Sequence, residues 1–342
     1  MVNAFRTWLT ADGGARWWSR GALALLGGLV LLTLVLGFLF NDEPASFDVR
    51  AVARERSGSG SEAPVRGAVL SSALIETIDR LLHKRGGYLT NDVLPPGVFM
   101  DNIPNWEWGV LVQSRDLAIA LRNDFSRSQT QSTEDQDLIK ADNHLRIDSE
   151  SWLFPAAETE YGDARRALEA YLQRIADPNQ PQSQFYARAD NLARYLGVVE
   201  KRLGDLSQRL GASVGQVRIN TDLAGESGAE QSSAAPEVVT VKTPWLELDD
   251  VFYEARGSSW ALLHFLRAVE ADFSGVLEKK NALISLRQII RELEATQDII
   301  WSPMILNGEG FGFVANHSLV MASYISRANA AVIELRMLLE RG

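Results

Sequence analysis

An uninterrupted apolar stretch constrains the fold of this chain more than any other feature of the sequence. From Gly21 to Phe40 the chain reads GALALLGGLVLLTLVLGFLF, without one ionisable side chain. A helix rises about 1.5 Å per residue, so a stretch of this length spans roughly the 30 Å hydrocarbon core of a bilayer. We therefore predict a transmembrane helix over 21–40, which makes the lipid bilayer a partner of the chain through Gly21 to Phe40.

A cleavable signal peptide is the competing interpretation of this stretch. Its apolar part is longer than the usual signal-peptide core, and Asn41-Asp42-Glu43-Pro44 is not a clear small-residue cleavage site. The sequence therefore favours an uncleaved anchor.

The residues on either side of the span predict its orientation. Basic residues precede it and acidic residues follow it: Arg6, Arg16 and Arg20 on one side, Asp42, Glu43 and Asp48 on the other. Positively charged flanks remain in the cytoplasm. We therefore predict a cytoplasmic basic tail over 1–20 and export of everything after the span.

Charge and cysteine content exclude several classes of function. The chain has 34 Lys and Arg against 44 Asp and Glu, a net charge of -10, which repels polyanions. We therefore predict no nucleic-acid partner. Cysteine is absent, which excludes disulfides, thiolate catalysis and Cys-ligated clusters. The sequence also has no paired histidines at metal-ligand spacing and no EF-hand loop, so we predict no metal and no other cofactor.

Beyond the span we predict a flexible tether over 41–66 and a helical domain over 67–342. The tether contains RERSGSGSEAPVRG, which is rich in Ser, Gly and charge and has no apolar period. Later segments repeat apolar residues at spacings of three and four, notably Phe185 to Leu210, Leu248 to Phe273 and Met321 to Leu339. We therefore predict an all-α fold: an N-terminal transmembrane helix, then an elongated antiparallel helical bundle with long irregular loops.

Three finer predictions concern the connections. A helix from Tyr161 to Ile175 should form an antiparallel hairpin with the one that begins at Phe185. The prolines between Asn91 and Trp108 predict an irregular segment, with a helix over 109–126 after it. A low-complexity centre predicts a mobile insertion over about 211–244, whose flanks at 214–219 and 238–241 are candidates for a short β-ribbon.

Tyrosine and arginine recur near the starts of three predicted helices. The pairs are Tyr186 and Arg188, Tyr253 and Arg256, and Tyr324 and Arg327. Three converging guanidinium groups would bind a carboxylate or phosphate bidentately, with tyrosine hydroxyls as further donors. In the alternative interpretation, each arginine packs along a neighbouring helix and pairs with a local acid.

Among the four histidines, His317 is the best candidate for acid–base chemistry, because it lies just after a glycine-rich loop. In the simpler alternative, Asn316 or Ser318 caps the last helix and His317 is solvated beside it. The run Asn307 to Phe313 lacks the lysine of a P-loop, and we interpret it as a tight interhelical connection.

Aromatic residues are concentrated in the proline-rich segment. Phe99, Trp106 and Trp108 are candidates for docking a partner or the outer leaflet of the membrane, because tryptophan is favoured at both kinds of surface. In the alternative interpretation, these residues plug the end of the bundle.

Several motifs carry a resemblance that covers nearly the whole chain. They are GGYLTNDVLPPGVFMDNIPNWEWG, QFYARADN, DDVFYEARG and SPMILNGEGFGFVANHSLVMASYISRANAA. With the single basic-flanked span, they resemble an uncharacterised family of proteobacterial single-span inner-membrane proteins of unknown function. The resemblance implies a Gram-negative envelope location and a periplasmic domain, and it carries over no catalytic residues.

These observations predict a non-catalytic envelope scaffold or interaction module. Its expected partners are other envelope proteins or further copies of itself. Two other classes stay open. One is a ligand-sensing module that uses the arginines and tyrosines as an anion site, and the other is an envelope hydrolase or transferase that uses His317.

Overall fold

The computed structural model describes residues 2–58, 64–127, 133–177, 179, 184–219, 238–302, 304–308 and 312–341. The fold is all-α, as predicted. Its helices are α1 (Val2–Phe40), α2 (Val49–Arg56), α3 (Ala68–His83), α4 (Asn102–Ala120), α5 (Gln136–Leu145), α6 (Ala157–Ala176), α7 (Ala189–Gly211), α8 (Leu248–Asp272), α9 (Ser274–Lys279), α10 (Leu283–Ala295) and α11 (His317–Glu340).

The second half of α1 has the length and composition of a membrane-spanning helix. Within Arg20–Phe40 lies an apolar window long enough to cross a bilayer, and this window is not buried inside the protein. A signal sequence near the N-terminus would have the same properties.

The predicted tether is wrong over its first half. Asp48 caps α2 by accepting hydrogen bonds from the N–H groups of Arg50 and Ala51. Phe47, Val49 and Ala53 are buried in the main core. With the partly buried Val52, these are the apolar side chains that anchor the segment, and they are too few to produce a periodic signal beside the Ser/Gly-rich residues. Residues 59–63 of the predicted tether lie outside the described residues.

The core of the domain surrounds α8, which is buried along most of its length and packs against α3, α4 and α10. Glycines allow α4 and α8 to approach closely. A Cβ atom on Gly257 would lie 2.0 Å from the carbonyl oxygen of Trp106, and one on Gly109 would lie 2.1 Å from that of Glu254. Both positions therefore require glycine for packing.

The predicted hairpin of two consecutive helices does not form. α6 packs against α5 and α3, whereas α7 packs against α11. Phe185, predicted as the first residue of the α7 seam, precedes the helix and packs its ring against Phe125 and Phe273. The connection over 177–188 is longer than a tight turn, so it allows the two helices to choose different partners.

The proline-rich segment is shorter than predicted, because α4 begins at Asn102 and not near Gly109. Pro104 lies in the first helical turn, where a backbone N–H has no intrahelical partner to lose. The predicted ribbon is confirmed: Gln216–Ile219 (β1) and Val238–Val241 (β2) pair antiparallel. The centre of the predicted mobile insertion, residues 220–237, lies outside the described residues.

The helices run between two ends of the domain. α1 touches one end: a Cβ on Gly86 would lie 2.7 Å from the Phe40 ring, and one on Gly37 would lie 3.7 Å from Cβ of Pro96. We call this the proximal end. α3 finishes there and begins at the opposite, distal end, where the N–H of Leu70 donates to Asp272 at the end of α8. α3 and α8 are therefore antiparallel.

Candidate functional site

Arg256 joins the segment after α1 to the helical domain. Its side chain is 10% exposed, and its Nε lies 2.8 Å from both carboxylate oxygens of Glu43. Its Nη1 donates to the carbonyl oxygens of Thr296 and Asp298, each at 2.9 Å. Burial raises the pKa of Glu43, and the positive charge of Arg256 opposes that rise. Glu43, the third residue after α1, is thereby held against the loop that follows α10.

His264 holds the next residues of the same segment. The backbone N–H of Phe47 donates to its Nε2 at 3.1 Å, and its Nδ1 lies 2.7 Å from the carbonyl oxygen of Trp260. This network assigns the proton to Nδ1 and leaves Nε2 as an acceptor. The rings of Phe47 and His264 are stacked at 4.0 Å. Burial lowers the pKa of His264 to about 4, so the ring is neutral at pH 7.

Arg80, in α3, provides a third attachment. It donates to the carbonyl oxygen of Ala45 at 3.1 Å, and its guanidinium carbon lies 4.9 Å above the Phe47 ring. Glu76 orients it through a hydrogen bond of 2.8 Å to its Nε. Together with Arg256 and His264, it fixes residues 43–47. We call these five residues and the three side chains that hold them the junction.

A buried ion pair supports the loop that lies beside the end of α1. Nζ of Lys84 and Oε1 of Glu107 are 2.5 Å apart, and both side chains are almost fully buried. Glu107 also accepts from the N–H groups of Leu89 and Thr90. Burial raises the pKa of Glu107, and Lys84 opposes the rise. The pair therefore holds residues 84–90 in place beside Phe40.

A cavity of about 430 Å³ adjoins the junction. Its lining is mainly apolar, with Phe252, Ile299, Trp301 and Met321 among the lining residues. Three of the candidate residues, Arg256, His317 and Tyr324, also line it. The structure thus brings part of the predicted constellation together around a space that suits an apolar or amphiphilic molecule.

The predicted convergence of three arginines does not occur, because each guanidinium group pairs with a different carboxylate. Arg188 pairs with Asp190 two residues away, Arg256 with Glu43, and Arg327 with Glu292. The alternative of pairing with a local acid is confirmed for Arg188 only, because the partners of Arg256 and Arg327 are distant in the chain.

The tyrosines of the three pairs are likewise separate. The Tyr186 hydroxyl donates to Gln184 at 2.6 Å, and Tyr324 lies under the Arg327 guanidinium at 4.6 Å. Tyr253 packs against Phe252, and burial raises the pKa of its hydroxyl.

His317 is the first residue of α11 and is half-buried. Asn316 caps the helix by accepting from the N–H of Leu319, as the simpler interpretation has it. Nδ1 of His317 accepts a hydrogen bond from the N–H of Leu306 at 3.0 Å, which places the proton on Nε2. Burial lowers its pKa. Within the described part of the chain, no carboxylate orients the ring.

The three candidate docking aromatics do not form one surface. Trp106 is fully buried and packs against Trp260 at 5.3 Å, because α4 begins early enough to turn it toward α8. Trp108 is partly buried beneath the guanidinium of Arg115. Phe99 alone is exposed, at 76%. The docking prediction is therefore wrong for Trp106, which belongs to the core.

Sequence reasoning missed the junction, because it selected Arg256 only as part of an anion site. No sequence motif marks His264, yet its Nε2 accepts a hydrogen bond from the N–H of Phe47, 217 positions earlier in the chain. A signal was nevertheless present: Glu43 is one of the first residues after the apolar stretch, and Arg256 interrupts a long apolar face.

His144, Glu160 and Asp163 lie close enough together to hold an ion, with their ligand atoms within 4.8 Å of one another. His144 already bonds Glu160 at 2.7 Å, and Asp163 pairs with Arg166. A half-buried cluster satisfied in this way does not by itself indicate a metal, and the prediction of no metal stays a prediction.

Comparison with known proteins gives one match. A protein family described as uncharacterised proteins conserved in bacteria (DUF2333) matches residues 11–342. No curated protein and no solved structure matches the chain.

Proposed function

The chain belongs to this family of uncharacterised bacterial proteins, and from that premise we propose that it is an envelope protein anchored by α1 in the inner membrane. Its helical domain then lies in the periplasm and works as a non-catalytic scaffold or interaction module, for other envelope proteins or for further copies of itself.

The junction is the observation that carries this proposal. A scaffold presents its binding surface at a fixed height and angle to the membrane, and a flexible tether would not provide that. Residues 43–47 are held by Arg256, His264 and Arg80 without an intervening linker. The domain therefore follows the end of α1 as one rigid unit.

The flanking charges support the proposed orientation. Arginines precede the apolar stretch and acidic residues follow it, which favours a cytoplasmic N-terminus. The junction lies on the acidic side, so the whole helical domain is on the exported side in this arrangement.

A ligand-sensing role is the second candidate, and the cavity beside the junction favours it. Arg256, which lines the cavity, also binds Glu43. A molecule that displaced or tightened this contact would change how the domain is joined to α1. The apolar lining indicates an amphiphilic or apolar ligand.

An envelope hydrolase or transferase is the weaker alternative. His317 would need a carboxylate or similar group to orient it and a nucleophile within hydrogen-bonding distance. Its hydrogen bond to the main chain of Leu306 fixes the ring by another means.

Reporter fusions test the topology. Alkaline phosphatase fused after Arg341 should be active in cells, whereas green fluorescent protein at the same position should be dark after export through the general secretory route. The reverse pattern would place the domain in the cytoplasm and overturn the envelope assignment.

Crosslinking in intact cells tests the scaffold role. The full chain should crosslink in a fixed stoichiometry to a specific envelope protein or to itself, and a control chain that carries only residues 1–48 before an unrelated domain should not. Recovery of the uncrosslinked monomer alone would contradict a scaffold and favour the cavity as the functional site.

A further inference from the structure

Exposed aromatic side chains are concentrated at the proximal end of the domain. Among the described side chains beyond α1, the tryptophans and phenylalanines that are mainly exposed are Phe99, Trp152, Phe154, Trp245, Trp301 and Phe313, and contacts place the first five at this end. We propose that this end of the domain is a lipid-binding surface, whose apolar loop tips insert into the headgroup and upper acyl region of the leaflet around α1. The inference rests on the proposed membrane span.

The loop that contains Phe99 lies beside α1 itself. Its Pro96 faces Gly37, one turn before the end of α1, so the contact is about 4.5 Å below the last apolar residue. Leu94 and Phe99, on either side of this proline, are 72% and 76% exposed. When α1 spans the bilayer, both side chains lie at the membrane–water interface.

The loop that contains Trp152 and Phe154 is hydrogen-bonded to the base of the loop that contains Phe99. The Tyr88 hydroxyl donates to the carbonyl oxygen of Ser149, and the Asn91 side chain donates to that of Ser151. The next residues include Trp152 and Phe154, and Phe154 is 90% exposed. These two loop tips therefore project from one shared base.

Two further tips are placed at the same end through α8. Trp301 is 90% exposed. It lies shortly after Thr296 and Asp298, whose carbonyl oxygens accept hydrogen bonds from Arg256, the partner of Glu43. Trp245 precedes α8, whose Asp250 accepts a hydrogen bond from Asn105 in the first turn of α4. α4 begins directly after the Phe99 loop.

Single exposed apolar residues are normal on a soluble surface, but a cluster of large ones at one end is not. Tryptophan in particular is enriched at membrane–water interfaces, where its ring is apolar and its N–H stays hydrated. The buried pair of Lys84 and Glu107 fixes the base of the Phe99 loop. Insertion into the leaflet therefore costs this loop little further conformational entropy.

The charge of this end indicates which lipids matter. Burial raises the pKa of Asp250 to about 6, and the nearby carboxylates of Asp101, Asp249 and Glu247 add to the rise. An acidic surface gains nothing from anionic headgroups. Insertion is therefore driven by apolar contact, and it should be no stronger in anionic than in zwitterionic bilayers.

Depth-dependent quenching tests the proposal. The chain has no cysteine, so single substitutions allow a small environment-sensitive fluorophore to be attached at one position of the full chain in nanodiscs. We would label Phe99→Cys and Phe154→Cys at the proximal end. Ile284→Cys is the matched control, because it is 77% exposed and lies at the start of α10, at the distal end.

Nitroxide-bearing phosphatidylcholine should quench the two proximal labels at least about twofold more than the Ile284 label, most strongly when the nitroxide is near the headgroup. Aqueous iodide should show the opposite order. Equal quenching of all three labels by iodide and none by lipid would overturn the proposal.

A fourth label separates this outcome from failure of the membrane span. Leu29→Cys lies in the middle of the apolar stretch and should be quenched by nitroxides deep in the acyl chains. If Leu29 is quenched and Phe99 is not, the anchor stands and the lipid-binding surface is wrong. If neither is quenched, the proposed span itself fails.

Discussion

A single buried histidine makes the attachment between α1 and the domain sensitive to acid. His264 has a pKa near 4 in the folded chain, against about 6.5 when unfolded. The folded state therefore binds fewer protons between these values, and stability falls as the pH drops through this window. Arg80 and Arg267 add to the lowering of the pKa, and Glu76 opposes it. Protonation also removes the acceptor for the Phe47 N–H.

We expect the detergent-solubilised chain to lose roughly 3 kcal/mol of stability through His264 between pH 7 and pH 4. His264→Gln should be less stable at pH 7 but should lose less on acidification. Urea unfolding of both chains at each pH measures the difference. Asp272, whose burial raises its pKa to about 7, contributes the opposite slope equally in both chains, so it cancels. Identical pH dependence would contradict the role of His264.

Arg256 and Arg327 offer a matched pair of arginine–carboxylate contacts that differ in burial. The Arg256 side chain is 10% exposed and that of Arg327 is 50% exposed. Arg256→Gln leaves Glu43 buried without its partner, which should cost about 3–5 kcal/mol in urea unfolding. Arg327→Gln should change stability by less than about 1 kcal/mol. Equal effects would mean that Arg256 is not an anchor of the junction.

At the scale of elements, the contact between α4 and α8 depends on glycine. Gly257→Ala places a methyl group against the carbonyl oxygen of Trp106, and a backbone atom in a packed core cannot move aside. We expect a loss of about 2 kcal/mol or more, measured as a lower thermal midpoint. Gly162→Ala in α6 meets nothing within 4 Å and should stabilise the chain by about 0.5–1 kcal/mol. A stabilising Gly257→Ala would contradict the close approach.

The same elements show what the sequence could and could not predict. The apolar seams of α7, α8 and α11 are local, so their spacing predicts each helix to within a few residues. Helix partners depend on contacts that spacing does not encode. The sequence therefore predicts that α6 pairs with α7, whereas in the structure α6 packs against α5 and α3. The early start of α4 was missed because Pro104 is acceptable in a first turn.

The junction was missed for a related reason. Its hydrogen bonds join Glu43 to Arg256 and Phe47 to His264, more than 200 positions apart. The segment that contains Glu43 and Phe47 has a composition typical of a linker. Of the candidate site residues, only Arg256, His317 and Tyr324 line one cavity, because residue type alone does not specify which helix faces meet.

For the whole molecule, the junction means that the helical domain begins at the end of α1 and not at Gly67. A chain truncated to 42–342 retains Phe47, Val49 and Ala53 in the core, whereas one truncated to 67–342 loses them and leaves His264 and Arg256 uncovered. Burying Phe47 and Val49 alone contributes about 1.5–3 kcal/mol each. We therefore expect the shorter chain to be less stable by at least about 3 kcal/mol, in urea unfolding under identical detergent conditions.

A chain beginning at Asp42 with Phe47→Ser and Val49→Ser should fall between the two, because it keeps Glu43 while losing the apolar contacts. Equal stability of the two truncated chains would make residues 42–58 a passive linker, and the domain would then be free to move relative to α1.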